Sequence, residues 1–160
     1  MKVQSVVADE GTGLLCNGDL TSFLPFFQSE DHVLTVVLSA EYIYGWVGMG
    51  FSKTGFMVNS CAMVGWINKE GLARIKQYYL RGSKPSQVIP YGGELNVTNS
   101  PTVVLHGATI YLAFQLKFSA HLRSENILLA FGSKTPHHAR LSKHDDRRTF
   151  TFDFSTALMT

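Results

Sequence analysis

"IYGWVGMGFSKTGFMVNSCAMVGWI", residues 43–67, sets two apolar runs around a polar turn that carries a glycine. Each run is short and rich in aromatic, valine and methionine residues. The pair therefore reads as two antiparallel strands, 43–51 and 61–67, joined by a turn that ends near Met57. Outward from this pair the same texture repeats. "HVLTVVLS" (32–39) precedes it, and "ARIKQYYL" (73–80) follows across the turn "NKEG". Ile75 and Tyr79 stand four apart, which admits a short helix, but β-branched and aromatic residues favour a strand. "RGSKPSQVIPYGGE" (81–94) is a loop by its glycines and prolines. Further strands are expected at "PTVVLH" (101–106), "ATIYLAFQLKF" (108–118), "NILLAFG" (126–132) and "RTFTFDF" (148–154). The last alternates Phe150, Phe152 and Phe154 against Thr and Asp, as a strand with one wet face does.

The expected fold is one all-β domain, a sandwich or barrel of about eight to ten antiparallel strands. Fourteen glycines with eleven Phe, six Tyr and two Trp agree with it. A chain of 160 residues is long enough to bury a core of its own. The formal net charge of +2 is too small for a nucleic-acid footprint, and the densest basic stretch, 134–148, is interleaved with His and Asp. No run approaches the roughly eighteen apolar residues of a membrane helix. The opening "MKVQSVVADEG" lacks the apolar core of a signal peptide. Cys16 and Cys61 fit one disulfide or two free thiols equally well.

Enzyme motifs are missing. No Walker loop, GxSxG or HExxH occurs, and two distant cysteines do not make a zinc site. "PHHARLSKHDD" gathers His137, His138 and His144 with Asp145 and Asp146, from which a non-haem metal site could be drawn, although such loops are usually solvated surface. Asp145 and Asp146 beside Arg147 and Arg148 read as exposed ion pairs of small worth. Met57 has two readings, a thioether folded back into the core or a soft ligand held at the rim of a sheet. Met49 and Met63 lie inside strands and are expected to pack.

"GWVGMGFSKTGFMVNSCAMVGW", "IKQYYLRGSKPSQV", "IYLAFQL" and "LSKHDDRRTFTFDFS", in that order, resemble a DOMON domain. The likeness is to the plant type that accompanies cytochrome b561, which is related to the cytochrome domain of cellobiose dehydrogenase. It runs from about Cys16–Asn17–Gly18–Asp19–Leu20 to Ser155, which sets a single domain at 14–156, an N-terminal extension at 1–13 and a tail at 157–160. The resemblance implies an immunoglobulin-like β-sandwich with a b-type haem at one end, held between a methionine and a histidine. Met57 stands where the methionine follows the glycine turn, and His144 stands in the loop before the last strand, followed by Asp. A Met/His pair fills both axial positions of the iron, which suits electron transfer and leaves no place for substrate.

The same resemblance offers further roles. Lys53 and Arg147, with Lys143 and Arg140, are candidates for the haem propionates, and Phe56, with Trp46, Phe51 and Trp66, for the porphyrin wall. His137 and His138 are alternatives to His144, whereas His32, His106 and His121 have no motif around them. The implied role is an electron carrier and not an enzyme. It would pass single electrons between a small reductant such as ascorbate and a membrane cytochrome b561 or an extracellular acceptor. A haemless module for a sugar or phenolic, or a purely structural interaction domain, are the alternatives. Cys61 departs from the small residue expected at its place, so a Cys16–Cys61 bridge is not part of the resemblance. Signal peptide and transmembrane portion are both missing from these residues. Read as a piece of a longer protein, the chain belongs on the non-cytosolic face of a membrane. There "NVT" (96–98) is a usable glycosylation sequon, and "NSP" (99–101) is ruled out by its proline.

Overall fold

The computed structural model describes residues 26–154. The N-terminal extension, Cys16 with its neighbouring motif, Ser155 and the C-terminal tail lie outside the described residues. Eleven strands are described: β1 (Phe26–Gln28), β2 (Val33–Glu41), β3 (Trp46–Ser52), β4 (Ser60–Ile67), β5 (Ala73–Leu80), β6 (Val88–Pro90), β7 (Asn96–Val97), β8 (Thr102–His106), β9 (Thr109–Lys117), β10 (Ser124–Gly132) and β11 (Asp146–Asp153). Eight to ten were expected. The excess comes from β1, β6 and β7, pieces of two or three residues that carry too little periodicity to be read. Residues 73–80 form a strand, so the helical alternative is set aside. The 81–94 stretch holds a short 3₁₀ turn, Pro85–Gln87, as well as β6.

The strands make two antiparallel sheets, one in each of two compact units. Among the described residues, the first unit comprises 26–43, 96–124 and 153–154. Its sheet runs β1-β2-β9-β7, with β8 also on β9. Here the alternation is regular. Leu34 faces Leu116, Val36 faces Phe114, Leu38 faces Leu112 and Ala40 faces Ile110, all buried. Such cross-strand apolar pairs fix register, because a slip of one residue would turn every one of them to the opposite face.

The second unit holds 44–95 and 125–152, and its sheet runs β11-β10-β3-β4-β5-β6. β3 and β4 are buried on both faces, as near-continuous apolar runs require. One face carries Val47, Met49, Met63, Ile127 and Leu129, with Met49 opposite Met63 and Leu129. Met49 and Met63 thus pack. The other face carries Trp46, Ala62, Val64, Trp66, Tyr78 and Leu80. Gly132 opposes Trp46, and a Cβ there would lie 2.3 Å from the indole Nε1. Only glycine lets the ring lie flat across β10.

In the first unit a buried amide secures the three-residue β1 to the loop before β10. The Gln28 Oε1 accepts the N–H of Leu122 at 3.0 Å, and its Nε2 donates to His121 Nδ1 at 2.8 Å. Gln28→Ala leaves the Leu122 N–H buried without a partner, which costs roughly 1–3 kcal/mol. The expected result is a lower denaturant midpoint with an unchanged slope. An unshifted midpoint would mean that this amide holds nothing.

Candidate functional site

The turn that carries Met57 is held at both ends by buried serines. The hydroxyl of Ser52 donates to the carbonyl of Phe56 at 2.7 Å and accepts the N–H of Gly55 at 3.0 Å. The hydroxyl of Ser60 donates to the carbonyl of Met57, and its N–H reaches the same oxygen at 3.3 Å. Gly55 has φ +83 and Asn59 φ +62, left-handed values suited to Gly and Asn, and the N–H of Asn59 donates to Leu80 at 2.7 Å. These bonds fix residues 56 and 57 where no ladder does. The side chains then divide. Met57 is half-buried and packs against the Trp46–Trp66–Tyr78 cluster, whereas Phe56 is 74% exposed.

The segment between β10 and β11 covers the same cluster with Ala139 and Leu141. Its bend places His138 (φ +49) and Ala139 (φ +59) in succession in the left-handed region. That arrangement costs roughly 1–2 kcal/mol per residue. Tyr78, with no exposed surface, offsets it by donating its hydroxyl to the carbonyl of Ala139 at 2.6 Å. Burial, with the Tyr91 phenol nearby as a lesser cause, pushes the Tyr78 phenol well above its ordinary value, so it donates at any physiological pH. The Trp46 Nε1 donates to Ser142 Oγ at 3.3 Å, and the N–H of Gly45 to Thr135 Oγ1 at 3.4 Å. At the end of the segment the carboxylate of Asp145 accepts the N–H of Ser133, and its own N–H donates to Phe131 at 2.8 Å.

His144 lies on this segment, half-buried. Burial lowers its pKa below 6.5, and the charges of Arg147 and Lys143 add to that, against a smaller opposing effect of Asp145. The imidazole is therefore neutral near pH 7, with a lone pair to give. Lys53 in the Met57 turn and Arg147 at the start of β11 are exposed. Trp46 and Trp66 are in the apolar cluster, and Phe51 alternates to the Met49 face. His137 and His138 are exposed, with rings 4.1 Å apart edge to face. His32 and His121 belong to the first unit, and their ring centroids are 4.3 Å apart. Among the described residues, no three His, Cys, Asp or Glu side chains converge. Cys61 is half-buried and its Sγ accepts the N–H of Glu94 at 3.3 Å.

A thioether and an imidazole are donors of the kinds that haem iron takes. A half-buried thioether and a neutral imidazole are borne by two segments that cover one aromatic cluster. Beside that cluster the sheet is built of small residues on the same face: Gly48 and Gly50 on β3, Ala62 on β4 and Ala130 on β10. A Cβ at Gly48 would stand 3.0 Å from Val64 Cγ2, so a larger residue there would require Val64 to shift. The anchors of the two segments, Ser52, Ser60 and Tyr78, had no place in the sequence-based site. The paired serines that flank the turn were a readable signal. Nothing in "QYYL" tells which tyrosine hydroxyl faces inward.

Solved structures share the arrangement of strands. The cytochrome b domain of pyranose dehydrogenase from Coprinopsis cinerea superposes with a TM-score of 0.62 at 16% identity, over 92% of this chain and 83% of that one. The cytochrome domain of cellobiose dehydrogenase from Myriococcum thermophilum gives 0.64 at 14% identity, over 89% and 80%. The class is thus an all-β domain with the β-sandwich fold of these cytochrome domains. No family model matches the chain. Two Arabidopsis thaliana proteins named cytochrome b561 and DOMON domain-containing protein do, one at 51% identity over 139 residues and 86% of the chain, the other at 31% over 139 residues and 83%. The chain belongs with these DOMON-containing proteins, and it spans 35% and 37% of their lengths. Among the described residues, no helix is long and apolar enough to cross a membrane.

The anchors of the 133–145 segment define its rigidity. Tyr78→Phe leaves the Ala139 carbonyl buried and unpaired, at roughly 1–3 kcal/mol, and amide exchange across 137–145 should quicken. Unchanged exchange would show that the hydroxyl does not hold the bend. The Asp145 tie adds a pH dependence. The Ser133 hydrogen bonds lower the pKa of this exposed carboxyl below 3.8, with Lys134 a lesser cause. Its contribution is therefore complete above 3.8 and fades as pH falls through the lower folded value. Asp145→Ala should exchange faster than the wild type at pH 7, with the two converging in strong acid. A gap that persists there would assign the effect to something other than the carboxylate.

Proposed function

We propose that the chain is a haem b electron-transfer domain, a carrier and not an enzyme, with Met57 and His144 as the axial ligands. The supporting observation is that the Met57 turn and the segment that bears His144 pack on one aromatic cluster, each locked by side chains of the sheet. Haem b, when bound, supplies a reversible one-electron couple, and a thioether ligand opposite imidazole raises its potential. The chain would contribute the rest. Met57 presents the sulfur, and His144 presents an imidazole that needs no deprotonation at pH 7. Trp46, Trp66 and Tyr78 exclude water from the ring. Lys53 and Arg147 would meet the propionates at the rim, where Phe56 would cover an edge. The domain boundaries 14–156 belong to this reading.

The names of the relatives suggest the wider setting. In it the domain would stand on the non-cytosolic side of a membrane. It would take electrons from a small anionic reductant such as ascorbate and deliver them to a cytochrome b561 portion or to an extracellular acceptor.

Titration of the purified chain with haem should give a red protein with sharp absorption bands when reduced. Met57→Ala and His144→Ala should each abolish the low-spin spectrum, while His137→Ala and His138→Ala keep it. A wild type that stays colourless with excess haem would favour the haemless sugar- or phenolic-binding module. Acid should release the histidine only below the already lowered pKa of its imidazole, because proton and iron compete for one lone pair. A spectrum that holds in both single-ligand variants sinks the assignment.

A further inference from the structure

The five-stranded sheet of the first unit ends, beyond β9, in an edge built from β7 and β8. This edge is chemically unguarded. From Leu95 to Leu116 the sequence contains no Asp, Glu, Lys or Arg. β8 reads TVVLH, with Val104 50% exposed and Leu105 44% exposed, and among the described residues it pairs with β9 alone. An exposed, uncharged, β-branched edge strand is a template for pairing with another chain, and proteins ordinarily blunt such edges with lysine, proline or a bulge. Pro101 stands before β8, and no breaker occurs within it.

Asn96 lies on the same edge. It opens β7, opposite Lys117 of β9, with its side chain in solvent, and Val97 and Thr98 complete the sequon N-x-T. The backbone here is ordered by the ladder and by the N–H of Thr98, which donates to the carbonyl of Gln115 at 3.1 Å. Thr102, the first residue of β8, pairs with Ala113 of β9, four residues from the Lys117 that faces Asn96. At about 3.3 Å per residue that is about 13 Å along the strand, within the reach of a branched glycan. A bulky, hydrated glycan on Asn96 would stand over the start of β8.

We propose that Asn96 is an N-glycosylation site, and that its glycan does for this edge what charged residues do elsewhere: it blocks edge-to-edge self-association. The inference rests on the proposed non-cytosolic placement. Supplying a secretion leader makes its test independent of the natural route, which protease protection of the parent protein in its own membranes examines separately.

The 160-residue chain is secreted from eukaryotic cells and recovered from the medium, which establishes passage through the glycosylating compartment. Peptide-N-glycosidase should then sharpen and lower its mass and convert Asn96 to Asp, as read by peptide mass spectrometry. Asn96→Gln and Thr98→Ala should lose the glycan, whereas Thr98→Ser keeps it. Size-exclusion chromatography with light scattering reads the second half of the proposal. The glycan-free forms should shift from monomer to dimer or larger, and Val104→Lys added to Asn96→Gln should restore the monomer. A secreted chain with unmodified Asn96 overturns the site. A glycan-free chain that stays monomeric, or assemblies that Val104→Lys leaves intact, overturn the shielding role.

Discussion

Irregular backbone at a site must have its polar groups answered by something other than a ladder, and that requirement governs this molecule. The two segments that carry the candidate ligands contain few backbone–backbone bonds of their own. Their carbonyls and amides go to side chains rooted in the six-stranded sheet or beside it: Ser52 and Ser60 for the Met57 turn, Tyr78 and Asp145 for the His144 segment. Rigid strands thereby lend their precision to loops that have none. The successive left-handed residues at 138 and 139 persist because a buried hydroxyl makes the strained bend the one that satisfies both partners.

β3 and β4 can carry this load because both of their faces are occupied, by different chemistries. Aliphatic and methionine side chains fill one face, which is ordinary close packing. The other alternates bulky aromatics with glycine and alanine, so Trp46, Trp66 and Tyr78 rise above a low floor. Rings lose little rotamer freedom on burial, and they combine a large apolar surface with one polar handle. Trp46 and Tyr78 spend that handle on the loop above them. The same side chains that build the cluster therefore also tie down what covers it.

Much of the fold was legible in the sequence, for reasons visible in particular residues. The alternation of Leu34, Val36, Leu38 and Ala40 against Ile110, Leu112, Phe114 and Leu116 writes two strands and their common face. Glycines bracketed the turn before Met57. β1, β6 and β7 were not legible, because two or three residues carry no period and their pairing is decided by the strand beside them. For the site, the sequence offered residue types at motif positions. Phe56 and Met57 are neighbours of similar hydrophobicity, yet one is exposed and the other packs, a choice made by the serine bonds to their carbonyls. The loop anchors were illegible for a related reason: Tyr78 and Tyr79 are equivalent as text, and only the register of β5 on β4, which pairs Tyr78 with Ala62, turns the first of them inward.

The charges around His144 follow one physical logic in two directions. His144 and Asp145 are adjacent and opposite in character, yet the carboxylate is committed to the N–H of Ser133, so it raises the proton affinity of the imidazole less than burial, Arg147 and Lys143 together lower it. Had Asp145 turned toward the ring, an imidazolium–carboxylate pair would have raised the proton affinity of the imidazole. Burial is the main cause of the lowered pKa of His144; Arg147 and Lys143, which add to it, are exposed, and so is Lys53 in the Met57 turn. Exposed charges act over about 8–10 Å at physiological salt. Arg147 and Lys143 therefore act on the imidazole in the same direction as burial, because a positive surround and a poorly solvated site both disfavour the imidazolium.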